Sequence, residues 1–244
     1  MKDNFSQRSD QYAKYRPDYP QEYYDFILSL IKEKTCAWDC GTGNGQVAEQ
    51  LSEYFEKVYA TDISAAQIAQ ATPNKKIEYS VQPAEETNFT GNQFDLIVVA
   101  QAIHWFDFDK FYAEVNRTLK PGGILSVVGY DGPVISPEVN KAKAYFYTEI
   151  VGSYWDKERK HIDDRYANIP FPFEEIPSPQ LSHCMNWSFE HFTGYLSTWS
   201  AVKHFIKDKG YDPVEEFRNE LKEAWGDDEQ KSVCFPILMR TGRK

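Results

Sequence analysis

Residues 37–51 read AWDCGTGNGQVAEQL: a short apolar run through Asp39, then Gly41, Gly43 and Gly45 at alternate positions, then an amphipathic stretch. That order predicts a strand, a tight turn and a helix, with the turn stripped of side chains so that backbone can lie close to a ligand. The dinucleotide fingerprint GxGxxG seats a pyrophosphate at the helix N-terminus. Here the place of its last glycine is taken by Gln46, giving GxGxG, and the preceding Asp39 would repel a phosphate. The turn therefore suits an uncharged or cationic group.

Working outward, the segment from Thr35 to Val128 alternates β-like runs (TCAWDC, KVYAT, IEYSV, FDLIVVA, ILSVVGY) with helix-like ones at 45–54, 64–71 and 109–119, the last stopped by LKPGG. The runs are too continuously apolar for a sheet wet on one face, so buried parallel strands fit. Repeated β-α units predict a right-handed, doubly wound sheet whose ligands sit beyond the carboxyl ends of the strands. Before this core, residues 20–32 read as an amphipathic helix. After it, a helix capped by Ser136 runs through the aromatic-rich AYFYTEIVGSYW, and the Pro-rich IPFPFEEIPSP turns the chain back towards the sheet. A further helix follows Ser188, and another opens with a capping box from Asp212 to Glu215 and ends at Gly226. SVCFPILMRTGRK adds a last strand, with Pro236 arguing for an edge or a bulge.

A second signal lies in YATDIS. Asp62, at the end of the second strand, can accept both hydroxyls of a ribose, although a carboxylate there is also a common helix cap. Together with the glycines it implies a nucleoside carrying something other than a diphosphate.

Composition bounds the rest. The 244 residues, 41% hydrophobic, suit one medium-sized domain with an appended lid. A net charge of -10 with no clustered Lys and Arg disfavours nucleic acid. With neither an apolar leader nor a membrane-length apolar run, the chain reads as cytoplasmic. Cys36, Cys40, Cys184 and Cys234 lack metal-ligand spacing, so reduced, packed thiols and no metal are expected. Aromatic residues make up 16% of the chain and gather outside the glycine motif, either as core or as the walls of a dry pocket.

Taken in order and spacing, DCGTGNG, TDIS, AEET, FDLIVVAQAIHWFD and LKPGGIL resemble the class I S-adenosylmethionine-dependent methyltransferases, of the methyltransferase type 11 group and the small-molecule branch that includes trans-aconitate methyltransferase. YAKYRPDYP and YLSTWSAV are also similar to segments of that branch. The resemblance implies an α/β, Rossmann-like, doubly wound and mostly parallel seven-stranded sheet with helices on both faces and a helical, aromatic lid. It divides the chain into a cap segment (1–33), a cofactor-binding core (34–131), a substrate and lid region (132–188) and C-terminal helices with the last strand (189–244).

It further implies that S-adenosylmethionine lies with its methionine part against Gly41 and Gly43, with Asp39 nearby and Gln101 facing it. Asp62 would take the ribose, Ile63 the adenine face, and Ala84 and Glu85 the adenine edge. Many relatives carry an acid just before that Ala-Glu pair; here the residue is Pro83, leaving the contact to backbone or to Glu85. Tyr12, Tyr15 and Arg16 would fold over the cofactor, with Arg16 towards its carboxylate.

Methyl transfer from a sulfonium obliges no catalytic motif. His104, just past the fourth strand, is the candidate general base, or else it lines the pocket and hydrogen-bonds the cofactor or backbone. Trp105 is pocket wall or core, and Tyr195 and Trp199, one helical turn apart, either cover the substrate or bury themselves. The acceptor is a small molecule, a carboxylic acid or a phenol or heteroatom on an aromatic ring; Arg159, Arg165 and Lys203 are the cations available for an acid. The assembly is a monomer or homodimer. Two other readings stand beside this one: a non-catalytic S-adenosylmethionine or S-adenosylhomocysteine sensor, and a nicotinamide-dependent oxidoreductase, which the GxGxG pattern disfavours.

Overall fold

The computed structural model describes residues 14–244, so Tyr12 lies outside the described residues. Strands β1 (Cys36–Cys40), β2 (Lys57–Asp62), β3 (Ile77–Val81), β4 (Phe94–Ala100) and β5 (Leu119–Tyr130) run parallel in the spatial order β3-β2-β1-β4-β5. They fall on the five expected runs. β5 starts early, at Leu119, and its KPGG stretch is taken up by a register irregularity opposite Phe94–Leu96.

Helices α1 (Gln21–Ser29), α2 (Gln46–Ser52), α3 (Ala65–Ile68) and α4 (Phe108–Thr118) connect or flank these strands. The strands are buried from both sides: Leu96 and Val98 of β4 join one apolar cluster, Ile97 and Val99 the other. Two covered faces are why the run FDLIVVA shows no alternation. Each aliphatic side chain removed from water there contributes roughly 1.5–3 kcal/mol. At the amino-terminal end of the sheet, Asp95 accepts from the Thr35 and Cys36 N–H groups (3.1 and 2.9 Å) and from Lys120 Nζ (2.6 Å). Burial opposes its charge, but these bonds and the Lys120 ammonium prevail and hold its pKa low.

The second half differs more from expectation. The helix capped by Ser136, α5 (Pro137–Tyr145), does not run on; it passes into a π-helical turn, Phe146–Ile150, and a 3-10 turn, Gly152–Tyr154. There follow α6 (Lys160–Asp163), strands β6 (Glu174–Ile176) and β7 (Ser182–Ser188), helices α7 (Phe189–Ser197), α8 (Ser200–Lys209), α9 (Pro213–Glu216) and α10 (Arg218–Trp225), and strand β8 (Gln230–Arg243). Asp212 caps α9 through the Val214 N–H (2.9 Å), and the single helix expected there divides at Phe217.

β8 is not an edge strand. It lies antiparallel between β5 and β6, so the main path β3-β2-β1-β4-β5-β8-β6 has the seven strands expected, and an eighth, β7, lies off it, paired to the first half of β8. Pro236 is the last residue of the β7 ladder, one before the β5 ladder begins at Ile237. Its missing N–H falls at a change of partner rather than at an edge. The same ladder sets Cys184 opposite Cys234, and the two form a disulfide, correcting the expectation of reduced thiols there; Cys36 and Cys40 are free. Register brings that pair together across 50 residues, and linear spacing does not carry register.

Candidate active site

The loop after β1 turns through left-handed backbone, with φ of 74° at Gly41 and 57° at Gly43, where other L residues are strained. A Cβ on Gly41 would come within 2.7 Å of the Ala102 Cβ, whereas one on Gly43 would meet nothing within 4 Å. The backbone donors of this loop are already engaged: the Gly41 and Thr42 N–H groups donate to the Thr61 carbonyl (2.8 and 2.9 Å) and that of Gly43 to Asp62 Oδ2 (2.9 Å). A phosphate cradle needs such donors pointing outward. What this loop offers instead is space beside a carboxylate.

That carboxylate is Asp39, fully buried. Its Oδ2 accepts from the Thr42 hydroxyl (2.5 Å), while Oδ1 has no hydrogen-bond partner among the described residues. Burial pushes its pKa up to about 7, with the Thr42 hydroxyl and the Ala48 N–H opposing and the nearby Asp62 charge adding to the rise. A buried acid of this kind is complementary to a cationic group. Asp62 spans the loop, with Oδ1 accepting the Ser64 N–H (2.8 Å) and Oδ2 that of Gly43.

Beyond Asp62 lies an apolar shelf. Ile63 is 37% exposed, and Val81, register partner of Asp62 on β3, is 54% exposed. Val81 was not anticipated; only strand register brings it beside Asp62. Ala84 is buried, and Glu85 Oε1 accepts the Asp107 N–H (3.1 Å). Glu114 of α4 anchors the loop that follows through the Thr87 N–H (2.9 Å) and is itself held by Arg117 (2.6 Å).

Two cavities open at the carboxyl ends of the strands. One, about 70 Å³, is bordered by Asp39, Gly41, Gly43, Tyr19 and Tyr130. The other, about 50 Å³, is bordered by His104, Trp105, Trp155, Asp156, Arg159 and Ser200. Arg16 and Gln101 line both. Arg16 donates to the Thr198 hydroxyl (2.8 Å) and to the Tyr130 hydroxyl (3.3 Å) and lies over the Tyr195 ring at 5.3 Å. Tyr15 packs against Gly194 and His191 of α7. The expected strap of Tyr15 and Arg16 is thus docked on the C-terminal helices.

His104 is buried, in a 3-10 turn after β4, with Nδ1 lacking a hydrogen-bond partner among the described residues. Burial, then the charge of Arg159 and the neighbouring His161, push its pKa down to about 3, so the imidazole is neutral. Of the three available cations, Arg159, Arg165 and Lys203, it is Arg159 that lines the cavity beside His104. Its Nε donates to the Tyr147 hydroxyl (3.1 Å) and to Asp163 (3.2 Å), and its guanidinium lies over Trp155 at 4.8 Å. Tyr147 belongs to the π-helical turn and also accepts from Trp155 Nε1 through its carbonyl (3.2 Å).

Tyr195 and Trp199 are buried at 3% exposure each, their rings 6.0 Å apart. They do not share a helix as expected, because α7 ends at Ser197 and Trp199 opens α8 at the corner. Their link to the site runs through Arg16 over Tyr195 and Trp155 against Trp199 (5.4 Å). Arg165 instead pairs with Asp131 (3.1 Å).

Among the described residues no helix is long and apolar enough to cross a membrane, and no group of three or more His, Cys, Asp and Glu could hold a metal ion. Residues 38–127 match the family described as "Methyltransferase domain". The chain is 35% identical to a protein of Dictyostelium discoideum that carries the name methyltransferase, over 99% of this chain and 95% of that one. It is 25% identical to methyltransferase pgmE of Aspergillus terreus, over 94% and 91%. Among solved structures it is similar to a methyltransferase of Anaeromyxobacter dehalogenans, with a TM-score of 0.86 and 38% identity over 94% of this chain and 98% of that one.

Proposed function

We propose that this chain, which belongs to the class I S-adenosylmethionine-dependent methyltransferases and uses S-adenosylmethionine as methyl donor, holds that donor in the Asp39 cavity and a small-molecule acceptor in the Arg159 cavity. The observation that carries this reading is that the two cavities meet at Gln101 and Arg16. In-line displacement needs two ligands aligned end to end in a dry place, and two cavities sharing a wall supply that arrangement.

In this reading Asp39 pairs with the amino group of the donor, Gly41 and Gly43 give its methionine part room, and Asp62 accepts the ribose hydroxyls. Ile63 covers the adenine, with Ala84 and Glu85 at its edge, while Tyr15 and Arg16 close the mouth. Bound there, S-adenosylmethionine supplies an electrophilic methyl group. The chain's own residues must then orient a nucleophile and keep water out.

Arg159 favours a carboxylic acid as acceptor. Tyr147 and Asp163 occupy only its Nε, so the two terminal nitrogens form a fork suited to a carboxylate. The lining carries two guanidiniums against one carboxylate, Asp156. A carboxylate nucleophile needs no base, and a neutral His104 with a depressed pKa serves it as a hydrogen-bonding contact. Trp105 forms the wall, with Tyr195 and Trp199 behind it. The acidic net charge and the absence of clustered cations accord with an enzyme of metabolites rather than one of nucleic acid.

The test is a screen of small carboxylic acids, their amides and neutral phenols against the chain saturated with S-adenosylhomocysteine, read by melting temperature and followed by turnover. Acids are expected to stabilise selectively. Arg159→Gln should weaken the best acid by about tenfold to a hundredfold, since a charge-assisted hydrogen bond is worth roughly 1.5–3 kcal/mol, and leave S-adenosylhomocysteine affinity unchanged. His104→Ala should slow turnover more than it weakens S-adenosylhomocysteine. Stabilisation by phenols and amides alone would sink the acid reading.

A further inference from the structure

Three locally costly features converge on one side-chain contact. Gln101, at the junction of the two cavities, sits at φ 52°, in the left-handed region that non-glycine residues avoid. Arg165 and Tyr166 are two successive non-glycine residues in the same region, at φ 54° and 63°. Gly129 occupies the interior of β5, where glycine weakens a strand. Such strain persists only where the surroundings over-determine it, and it clusters at working sites.

The contact is between Tyr166 and Gln101. The Tyr130 carbonyl can only accept, so the Gln101 amide must turn its Nε2 there (3.2 Å), leaving Oε1 to face the Tyr166 hydroxyl, which donates at 3.5 Å. Tyr166 is fully buried, and Arg240 grips its turn through the carbonyls of Tyr166 (3.4 Å) and Ile169 (2.5 Å). Gly129 leaves the space: a Cβ there would lie 2.3 Å from the Tyr166 hydroxyl and 3.1 Å from Gln101 Oε1.

We infer that Tyr166 is a positioning residue that fixes the Gln101 amide dipole at the junction of the two cavities. The inference rests on the preceding reading, in which Gln101 borders the methyl donor. A carbonyl oxygen accepts two hydrogen bonds, so Oε1 keeps a lone pair for the cavity while Tyr166 holds it, and an oriented carbonyl favours a cation. S-adenosylmethionine and S-adenosylhomocysteine differ by one methyl group and one positive charge. A fixed Gln101 therefore distinguishes them, and a loose one does so less.

The experiment is calorimetric binding of S-adenosylmethionine and S-adenosylhomocysteine to the parent, Tyr166→Phe, Gln101→Leu and the double variant. Tyr166→Phe should weaken S-adenosylmethionine about two- to tenfold relative to S-adenosylhomocysteine, the worth of one neutral hydrogen bond. Gln101→Leu should do the same, and the double variant should lose no more of this ratio than Gln101→Leu, because the assigned effect of Tyr166 on the ratio runs through Gln101. Gly129→Ala, which crowds the same hydroxyl from the sheet side, provides a second route if Tyr166→Phe folds poorly. An unchanged ratio of the two affinities in both Tyr166→Phe and Gly129→Ala, or losses that multiply in the double variant, would overturn the assignment. A parent that binds neither ligand would instead overturn the reading on which it rests.

Discussion

An Asp39→Asn variant is expected to be more stable than the parent at pH 8 when free of ligand, and to bind S-adenosylhomocysteine much more weakly. Burial raises the Asp39 pKa from 3.8 to about 7. For a carboxyl raised in this way the sign is the reverse of the salt-bridged case. Its contribution is most favourable below pH 4, where both states are protonated, and is lost as pH rises through 7, because the unfolded chain ionises first. The full penalty is on the order of 4 kcal/mol, an upper figure for a solvent-shielded group. Asparagine carries no such penalty, so the stability difference between variant and parent should open between pH 4 and 7 and level off above. Binding runs the other way, since the unpartnered Oδ1 is the natural seat of an ammonium. Parent affinity should rise from pH 6 to 8 as Asp39 ionises. Denaturant melts at several pH values, paired with calorimetry, read both trends. Equal stability of parent and variant at pH 8 would remove Asp39 from this role.

Asp62→Ala should cost roughly 1.5–3 kcal/mol of S-adenosylhomocysteine affinity, about tenfold to more than a hundredfold, through loss of charge-assisted bonds to ribose. The same carboxylate accepts the Gly43 and Ser64 N–H groups, so its removal also frees the loop. Asp62→Asn separates the two parts, because its single carbonyl can retain one loop contact while its amide donates. Recovery of the melting temperature without recovery of affinity would locate the loss at the ribose. Unchanged affinity in Asp62→Ala would refute the contact.

The sheet's parallel half was legible because it is local. Each strand from β1 to β5 is announced by an apolar run and closed by a helix signal, and a strand buried on both faces cannot hide its composition. The two loops that carry Asp39, Gly41, Gly43 and Asp62 were legible for the same reason, each following directly on one of these strands. What stayed hidden depends on register and on irregular backbone. Pro236 suggested an edge or a bulge, yet β8 is interior and changes partners there. Cys184 and Cys234 meet only across a ladder. Arg159 reaches the cavity beside His104 from a run of π and 3-10 turns that no helical period describes. Tyr166 owes its position to left-handed backbone that neither Arg165 nor Tyr166 advertises as residue types.

The most direct test of the account is the melting temperature with S-adenosylhomocysteine and, separately, with NAD. A ligand at about 100 times its dissociation constant adds roughly 2.7 kcal/mol of stability. The engaged backbone donors of the glycine loop and the buried Asp39 predict a rise with S-adenosylhomocysteine and none with NAD. A rise with NAD alone, or with neither, would contradict it.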